Sequence, residues 1–472
     1  MLLPISEAAR RLRQWGAPAL YHDALNGFAA AFPGEREVIF VRAPGRVNVI
    51  GEHTDYNGLP VMPVALDREI VICLSARADN QVRLTNLDVR FEPVRFALSG
   101  SIDPYQTGHW ANYAKAAAQA LWQWVEQESP AWLPLRGLSG CVAGNIPPGS
   151  GLSSSSALVV AAAVALVEVN TLPIRAAQLA DLLARGERYV GTEGGGMDQA
   201  VSLLAEAGSA LKIDFFPLRT RPVRLPVDHL LVVANTMVSA NKTGGARVAY
   251  NTRVAECRLG VELLKAISRK QHPDVEDAAL LSDIVRIVPE WRDALEQMPS
   301  SAVSLSEAAG MTGLTQEELT RRCLVRRDGG LLPVPEQGFQ PKRRCRHVLT
   351  EGDRVERAAR AAESNDARAL GVLMNESHES CARDYEVSCP ELDHLVSDLR
   401  RGGALGARLT GAGFGGCAVG LVESLQAQAL IDFVWDAYYD SYLPTRGIST
   451  PTDRDAVLFA CTPSPGAGTV VV

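Results

Sequence analysis

No lysine follows the glycines of the loop at residues 144–157, no two cysteines share metal-binding spacing, and no apolar run reaches 18 residues. The first absence excludes the GxxxxGK[ST] phosphate loop. The second leaves nine scattered cysteines without a CxxC pair or a His/Cys cluster, which suits free thiols in a reducing compartment. The third excludes a membrane-spanning helix. The first residues, Met1-Leu2-Leu3-Pro4-Ile5-Ser6-Glu7, lack the basic and apolar regions of a secretory leader. A net charge of −7, unrelieved by any lysine stripe, argues against nucleic acid as a partner. The expectation is a soluble, cytoplasmic protein that binds neither nucleic acid nor membrane.

What the chain does have is 472 residues, 47% of them hydrophobic, enough for two or three domains with sizeable cores. Its organising stretch is Gly144-Asn145-Ile146-Pro147-Pro148-Gly149-Ser150-Gly151-Leu152-Ser153-Ser154-Ser155-Ser156-Ala157, followed by the apolar run Leu158 to Val167. A turn with two prolines cannot be helical, whereas the Ala/Val-rich run reads as a buried helix starting at the serines. The loop therefore opens a helix N-terminus, where unpaired N–H groups and the helix dipole favour an anion. A serine-capped helix after a glycine turn is the alternative. Four consecutive serines exceed what one cap needs, and the extra hydroxyls suit phosphate or a hard cation.

Upstream, residues 5–32 read as one or two amphipathic helices, and Glu37 to Arg42 as a strand. The strand delivers Gly45-Arg46-Val47-Asn48-Val49-Ile50-Gly51-Glu52-His53-Thr54-Asp55-Tyr56-Asn57-Gly58, a cluster of Arg46, Glu52, His53 and Asp55. A cation, carboxylates and an imidazole suit a polyol, whose hydroxyls both donate and accept. A solvated loop is the alternative, against which stand the apolar residues on either side. Strands are expected near 69–76 and 81–96, with a turn at Asp67-Arg68. Helices are expected from 108 to 125, 174 to 189 and 250 to 265, the last with Arg253, Glu256 and Arg258 on a solvated face. Gly194-Gly195-Gly196 frees the backbone ahead of Asp198, which alone reads as a helix N-cap. Residues 268–345 change character and read as a surface excursion. The turn Gly411-Ala412-Gly413-Phe414-Gly415-Gly416 precedes a strand, so it is not a dinucleotide-binding turn. Mixed strands and helices point to an α+β fold.

Three motifs, GRVNVIGEHTDYNG (45–58), GSGLSSSSA (149–157) and LTGAGFGGCAV (409–419), occur in this order with an acid between them. The chain resembles the GHMP small-molecule kinases, and the first motif is similar to the signature of their galactokinase and N-acetylgalactosamine kinase subfamily. The resemblance covers most of residues 35–463. It implies a ribosomal-protein-S5-like N-terminal domain and a ferredoxin-like C-terminal domain enclosing a cleft. The expected division is a helical extension at 1–34, an N-terminal kinase domain at 35–216, and a C-terminal domain at 217–472 carrying the 268–345 insertion.

The resemblance also implies roles. Glu52, His53 and Asp55 would grip the sugar, with Gly195 and Tyr250 completing its pocket. Arg46 and Asp198 would flank the anomeric hydroxyl, with Asp198 either accepting its proton or orienting it. Gly149, Gly151, Ser153, Ser154 and Ser155 would cradle the phosphates of ATP. Ser155 would ligate Mg2+, with Glu187 sharing the ion, although that glutamate is offset by one position from the bacterial pattern. Asn241 and Lys242 would line the nucleotide side, and Trp110 would either stack on adenine or pack in the core. Ser156 and Ser150 depart from the alanine and glycine frequent in galactokinases. The implied activity is a monomeric, ATP-dependent sugar 1-kinase acting on galactose or N-acetylgalactosamine. A catalytically silent galactose sensor is the alternative of another class, disfavoured by a complete serine run.

Overall fold

The β-branched and aromatic run Val38-Ile39-Phe40-Val41 starts a strand that does not stop at Arg42 but continues to Ile50, in the computed structural model of the chain. The structure describes every residue except 1, 148, 187, 188, 190–194, 239–243, 327, 328 and 472. The first sheet contains β1 (Leu3–Pro4), β2 (Glu37–Ile50), β3 (Met62–Ala76), β4 (Gln81–Asn86), β5 (Val94–Ala97) and β6 (Leu138–Gly144) in the order β1-β2-β3-β6-β4-β5. Pairing is antiparallel except between β4 and β6. The first half of the sugar-like motif is thus strand, not loop. Register shifts between Pro44 and Arg46 and between Asn48 and Ile50 absorb the proline, which cannot donate to a ladder. The turn expected at Asp67-Arg68 is also strand. There β3 skips from Ala65, opposite Arg46, to Glu69, opposite Pro44, so the polar pair marks a bulge.

Helices α1 (Ile5–Trp15) and α2 (Ala19–Ala31) cover one face of this sheet. Leu12, Tyr21, Leu25 and Phe28 pack there with Phe40, Val71 and Cys141. The other face carries α3 (Asn112–Glu128), α4 (Ser154–Asn170), α5 (Ala176–Gly186) and α6 (Met197–Leu204). With both faces covered, β2 and β3 are buried along almost their whole length, and α4 reads apolar on all sides.

The hairpin β7 (Ser209–Asp214) and β8 (Arg219–Arg224) leads to a second sheet. Its strands are β9 (His229–Asn235), β10 (Gly406–Thr410), β11 (Cys417–Glu423) and β12 (Leu458–Cys461), antiparallel in the order β10-β11-β9-β12. The last strand, β13 (Gly468–Val470), returns to pair with β2 of the first sheet. The C-terminal residues thus close on the N-terminal half.

Two expectations for the second half change. Along α7 (Gly244–Ser268), Glu256 is buried, not solvated. Its carboxylate takes Arg344 Nε at 2.7 Å and the Gln340 N–H at 2.7 Å, because helix Pro341–Glu363 covers that face. Residues 268–345, expected as a surface excursion, contribute to the shared core. Leu281, Trp291, Leu295, Leu319 and Phe339 are buried in the same cluster as Leu264, Leu349 and Leu395. Periodicity was weak here because the helices are short.

Candidate active site

The serine loop leaves β6 and enters α4 through backbone that few side chains tolerate: φ is +70° at Gly149, +79° at Gly151 and +59° at Ser153. Ser153 occupies the N-cap position of α4 but makes no capping bond. Its hydroxyl donates to Asp198 Oδ2 instead. The first-turn amides of a seventeen-residue helix are therefore not met by the cap side chain, leaving donors suited to an anion.

Asp198 is not an N-cap. Gly196, at φ +101°, occupies that position of α6, and the Asp198 carboxylate reaches across to β2. Arg46 Nε donates to Oδ1 at 2.7 Å and Nη2 to Oδ2 at 3.2 Å, a bidentate grip. The remaining nitrogen, Nη1, donates to the Gly151 carbonyl at 2.6 Å, and the Arg46 backbone N–H donates to Leu152 O at 3.1 Å. Gly45 is required beside this contact, since a β-carbon there would stand 2.7 Å from Leu152 O. Burial alone would lower the Arg46 pKa, but the Asp198 and Glu52 charges outweigh it, so the net direction is upward.

After β2 the chain turns at Gly51, φ +102°, and His53, φ +64°. Asp55 Oδ2 accepts the Gly195 N–H at 3.1 Å. Burial, and then the Asp198 charge, raise the Asp55 pKa to about 6. The His53 ring lies 5.8 Å from the Tyr250 ring and stacks on Tyr385 at 4.6 Å. Burial pushes the His53 pKa well down, so the ring is neutral near pH 7.

The glycine turn at 411–416 joins the other two motifs. A β-carbon on Gly411 would stand 2.9 Å from Gly151 O, and one on Gly416 2.9 Å from Ser150 O, so only glycines let the turns meet. Glu52 Oε1 accepts the Gly411 N–H at 2.7 Å and lies 3.4 Å from Arg408 Nη1. Arg408 is fully buried and also donates to Asn48 O at 2.9 Å and Ser377 Oγ at 3.0 Å. Sequence reasoning missed Arg408, Tyr385 and the link from Glu52 to the glycine turn. The available signal for Arg408 was a lone charge in the apolar strand Gly406-Ala407-Arg408-Leu409-Thr410.

The structure thus brings together Arg46, Asp198, Gly151 and Ser153, and places Asp55, Gly195, His53 and Tyr250 beside them. Gly149 shares the loop, and Ser154 and Ser155 open α4. Trp110 instead packs in the first core, with its indole N–H on Glu92 O at 3.1 Å. Glu187, Asn241 and Lys242 lie outside the described residues. Among the described residues no three His, Cys, Asp or Glu side chains form a metal cluster.

An uncapped helix start with an Asp–Arg pair facing it, carried on an α+β fold, suits a small-molecule phosphotransferase. Comparison with known proteins agrees. The chain matches the galactokinase galactose-binding signature over residues 26–76, the GHMP kinase N-terminal domain over 112–206 and the GHMP kinase C-terminal domain over 358–441. It is 33% identical to galactokinase of Dictyostelium discoideum, covering 95% of this chain and 93% of that one. It is 35% identical to galactokinase of Streptomyces coelicolor, covering 94% and 97%. The crystal structure of Lactococcus lactis galactokinase complexed with galactose superposes with a TM-score of 0.72 at 27% identity, covering 94% of this chain and 98% of that one. The chain belongs to the galactokinase family of the GHMP kinases.

Proposed function

We propose that the protein transfers the γ-phosphoryl group of ATP to the anomeric C1 hydroxyl of galactose, giving galactose 1-phosphate and ADP. The observation that carries this is the double engagement of Arg46, which holds Asp198 with one edge and the Gly151 carbonyl of the serine loop with the other nitrogen. A hydroxyl beside Asp198 and a phosphate over the loop would then meet at one guanidinium. The relatives are galactokinases, and the solved neighbour was crystallised with galactose.

In this reading Asp55, His53, Glu52, Tyr250 and the Gly195 backbone surround the sugar. The C1 oxygen attacks the γ-phosphorus as the bond to the β–γ bridging oxygen breaks, and Asp198 takes the proton of the C1 hydroxyl. Phosphoryl transfer asks the protein mainly for position and charge neutralisation, which Arg46 supplies at the transferring group. Gly149, Gly151, Ser153, Ser154 and Ser155 receive the phosphates, the uncapped α4 terminus providing donors.

Ser155, in the first turn of α4, would offer its hydroxyl to a hard cation held mainly by phosphate oxygens. Mg2+ bound there would supply charge neutralisation on the phosphates. All nine cysteines are free, which suits a reducing cytoplasm, and no helix among the described residues is long and apolar enough to cross a membrane. The test is ADP release measured by a coupled assay with galactose, N-acetylgalactosamine, arabinose and galacturonate. Galactose should give the highest kcat/KM; no stimulation by any sugar would overturn the assignment.

A further inference from the structure

His53 is the end of a buried hydrogen-bonded chain that the phosphoryl-transfer chemistry does not account for. Its Nδ1 lies 2.9 Å from the Tyr56 hydroxyl, which lies 2.8 Å from the Tyr385 hydroxyl, which lies 3.4 Å from Cys257 Sγ. The ring is sandwiched: Tyr385 stacks on it, and Tyr250 and Tyr56 flank it at 5.8 and 6.1 Å. Tyr385 is itself packed against His347, whose Nε2 is 3.0 Å from Glu52 O and whose Nδ1 is 2.9 Å from Ser380 Oγ. His53 Nε2 is buried with no well-placed hydrogen-bond partner among the described residues, the Ala412 backbone carbonyl being the nearby acceptor that the ring senses.

A neutral imidazole carries one proton, so one nitrogen donates and the other accepts. Tyr385 is buried and Tyr56 half-buried, both are un-ionised, and burial pushes the Cys257 thiol up to about 12. Each group in the chain thus has one proton to give. A phenol donating to an imidazole nitrogen is a stronger bond than an imidazole N–H donating to a phenol oxygen. The chain therefore runs from Cys257 to Tyr385 to Tyr56 to His53 Nδ1.

We propose that Tyr56 and Tyr385 are positioning residues that hold His53 in the tautomer with the proton on Nε2, making that nitrogen a fixed donor to one sugar hydroxyl oxygen. The proposal rests on the galactose reading of the site for the identity of the acceptor, not for the tautomer. A hydroxyl oxygen would give Nε2 the well-placed acceptor it lacks among the described residues, while an analogue lacking that hydroxyl would not, which is how such a site discriminates.

The test uses the full chain in three forms: wild type, Tyr56→Phe and Tyr385→Phe. Nitrogen NMR of the histidine-labelled protein, with His53→Gln as the assignment control, should show His53 protonated on Nε2 in wild type. Tyr56→Phe should lose that single tautomer and raise the galactose KM about tenfold, the loss of one oriented hydrogen bond, with ATP KM and kcat within about twofold. Tyr385→Phe keeps the stacked ring and should show a smaller rise, about threefold. A wild-type Nδ1–H tautomer would overturn the proposal, as would a Tyr56→Phe protein with unchanged tautomer and galactose KM. Absence of any sugar-stimulated ADP release in wild type would refute the galactose reading instead, and the NMR result would still decide the tautomer.

Discussion

Gly195 stands against Asp55 with no room for a side chain. A β-carbon there would lie 2.5 Å from Asp55 Oδ2 and 2.5 Å from Tyr56 N, and would run into Asp55 Cγ. Because the same glycine donates its N–H to Asp55, it both shapes and satisfies the carboxylate. Gly195→Ala is expected to raise the galactose KM by about ten- to a hundredfold, the cost of displacing one buried hydrogen-bonded group, while leaving the ATP KM within about twofold. Steady-state kinetics in both substrates checks this; an unaltered galactose KM would count against Asp55 as a sugar ligand.

Asp198→Asn preserves shape but removes the charge that Arg46 grips through two nitrogens. Turnover should fall by about 10²–10⁴, the usual worth of a positioned proton acceptor. ATP binding, followed by calorimetry, should persist. Full activity in this variant would remove the proton-acceptor role.

The raised pKa of Asp55, about 6, sets a pH dependence. Its proton is bound more tightly in the folded chain than in the unfolded one, so its contribution to stability is present below the unfolded carboxylate range and is lost as pH rises towards 6. Function runs the other way, because the ionised carboxylate is the better acceptor for sugar hydroxyls. The galactose KM is expected to rise as pH falls from 7 to 5, and Asp55→Asn should flatten that rise. A galactose KM independent of pH over this window in the wild type would disprove the assignment.

Glu256 and Arg344 form a buried pair, each side chain at most 2% exposed. Removing one partner strands the other charge. Glu256→Ala should destabilise the chain by about 3 kcal/mol, less than an isolated buried charge would cost if Glu386 and the Asp384 carbonyl keep their bonds to Arg344. Replacing both residues with methionine should recover much of the loss. Urea-unfolding midpoints measure both, and a Glu256→Ala midpoint equal to wild type would contradict the burial argument.

Local chemistry is readable along the chain because it is set by neighbours in sequence. The serine loop, the triple glycine and the 411–416 turn announce themselves through residues that only turns and helix starts accommodate. The three motifs in order pointed to the family. Where the reading failed, distant segments decided. Pro44 and Gly45 resemble a loop until bulges and the facing β3 accommodate them in a strand, and Glu256 looks solvated until the helix of Arg344 covers it.

By itself the sequence determined which chemical groups are available and which stretches turn, because backbone preference and side-chain type act over a few residues. Only the tertiary structure decided that Asp198 meets Arg46 and does not cap its helix, that Glu52 binds the Gly411 amide, and that Tyr385 reaches Tyr56 from 329 positions away. Those outcomes depend on which buried polar group finds a partner when the halves of the chain close. Pairing of that kind is settled by the whole packed interior, not by any window of neighbours.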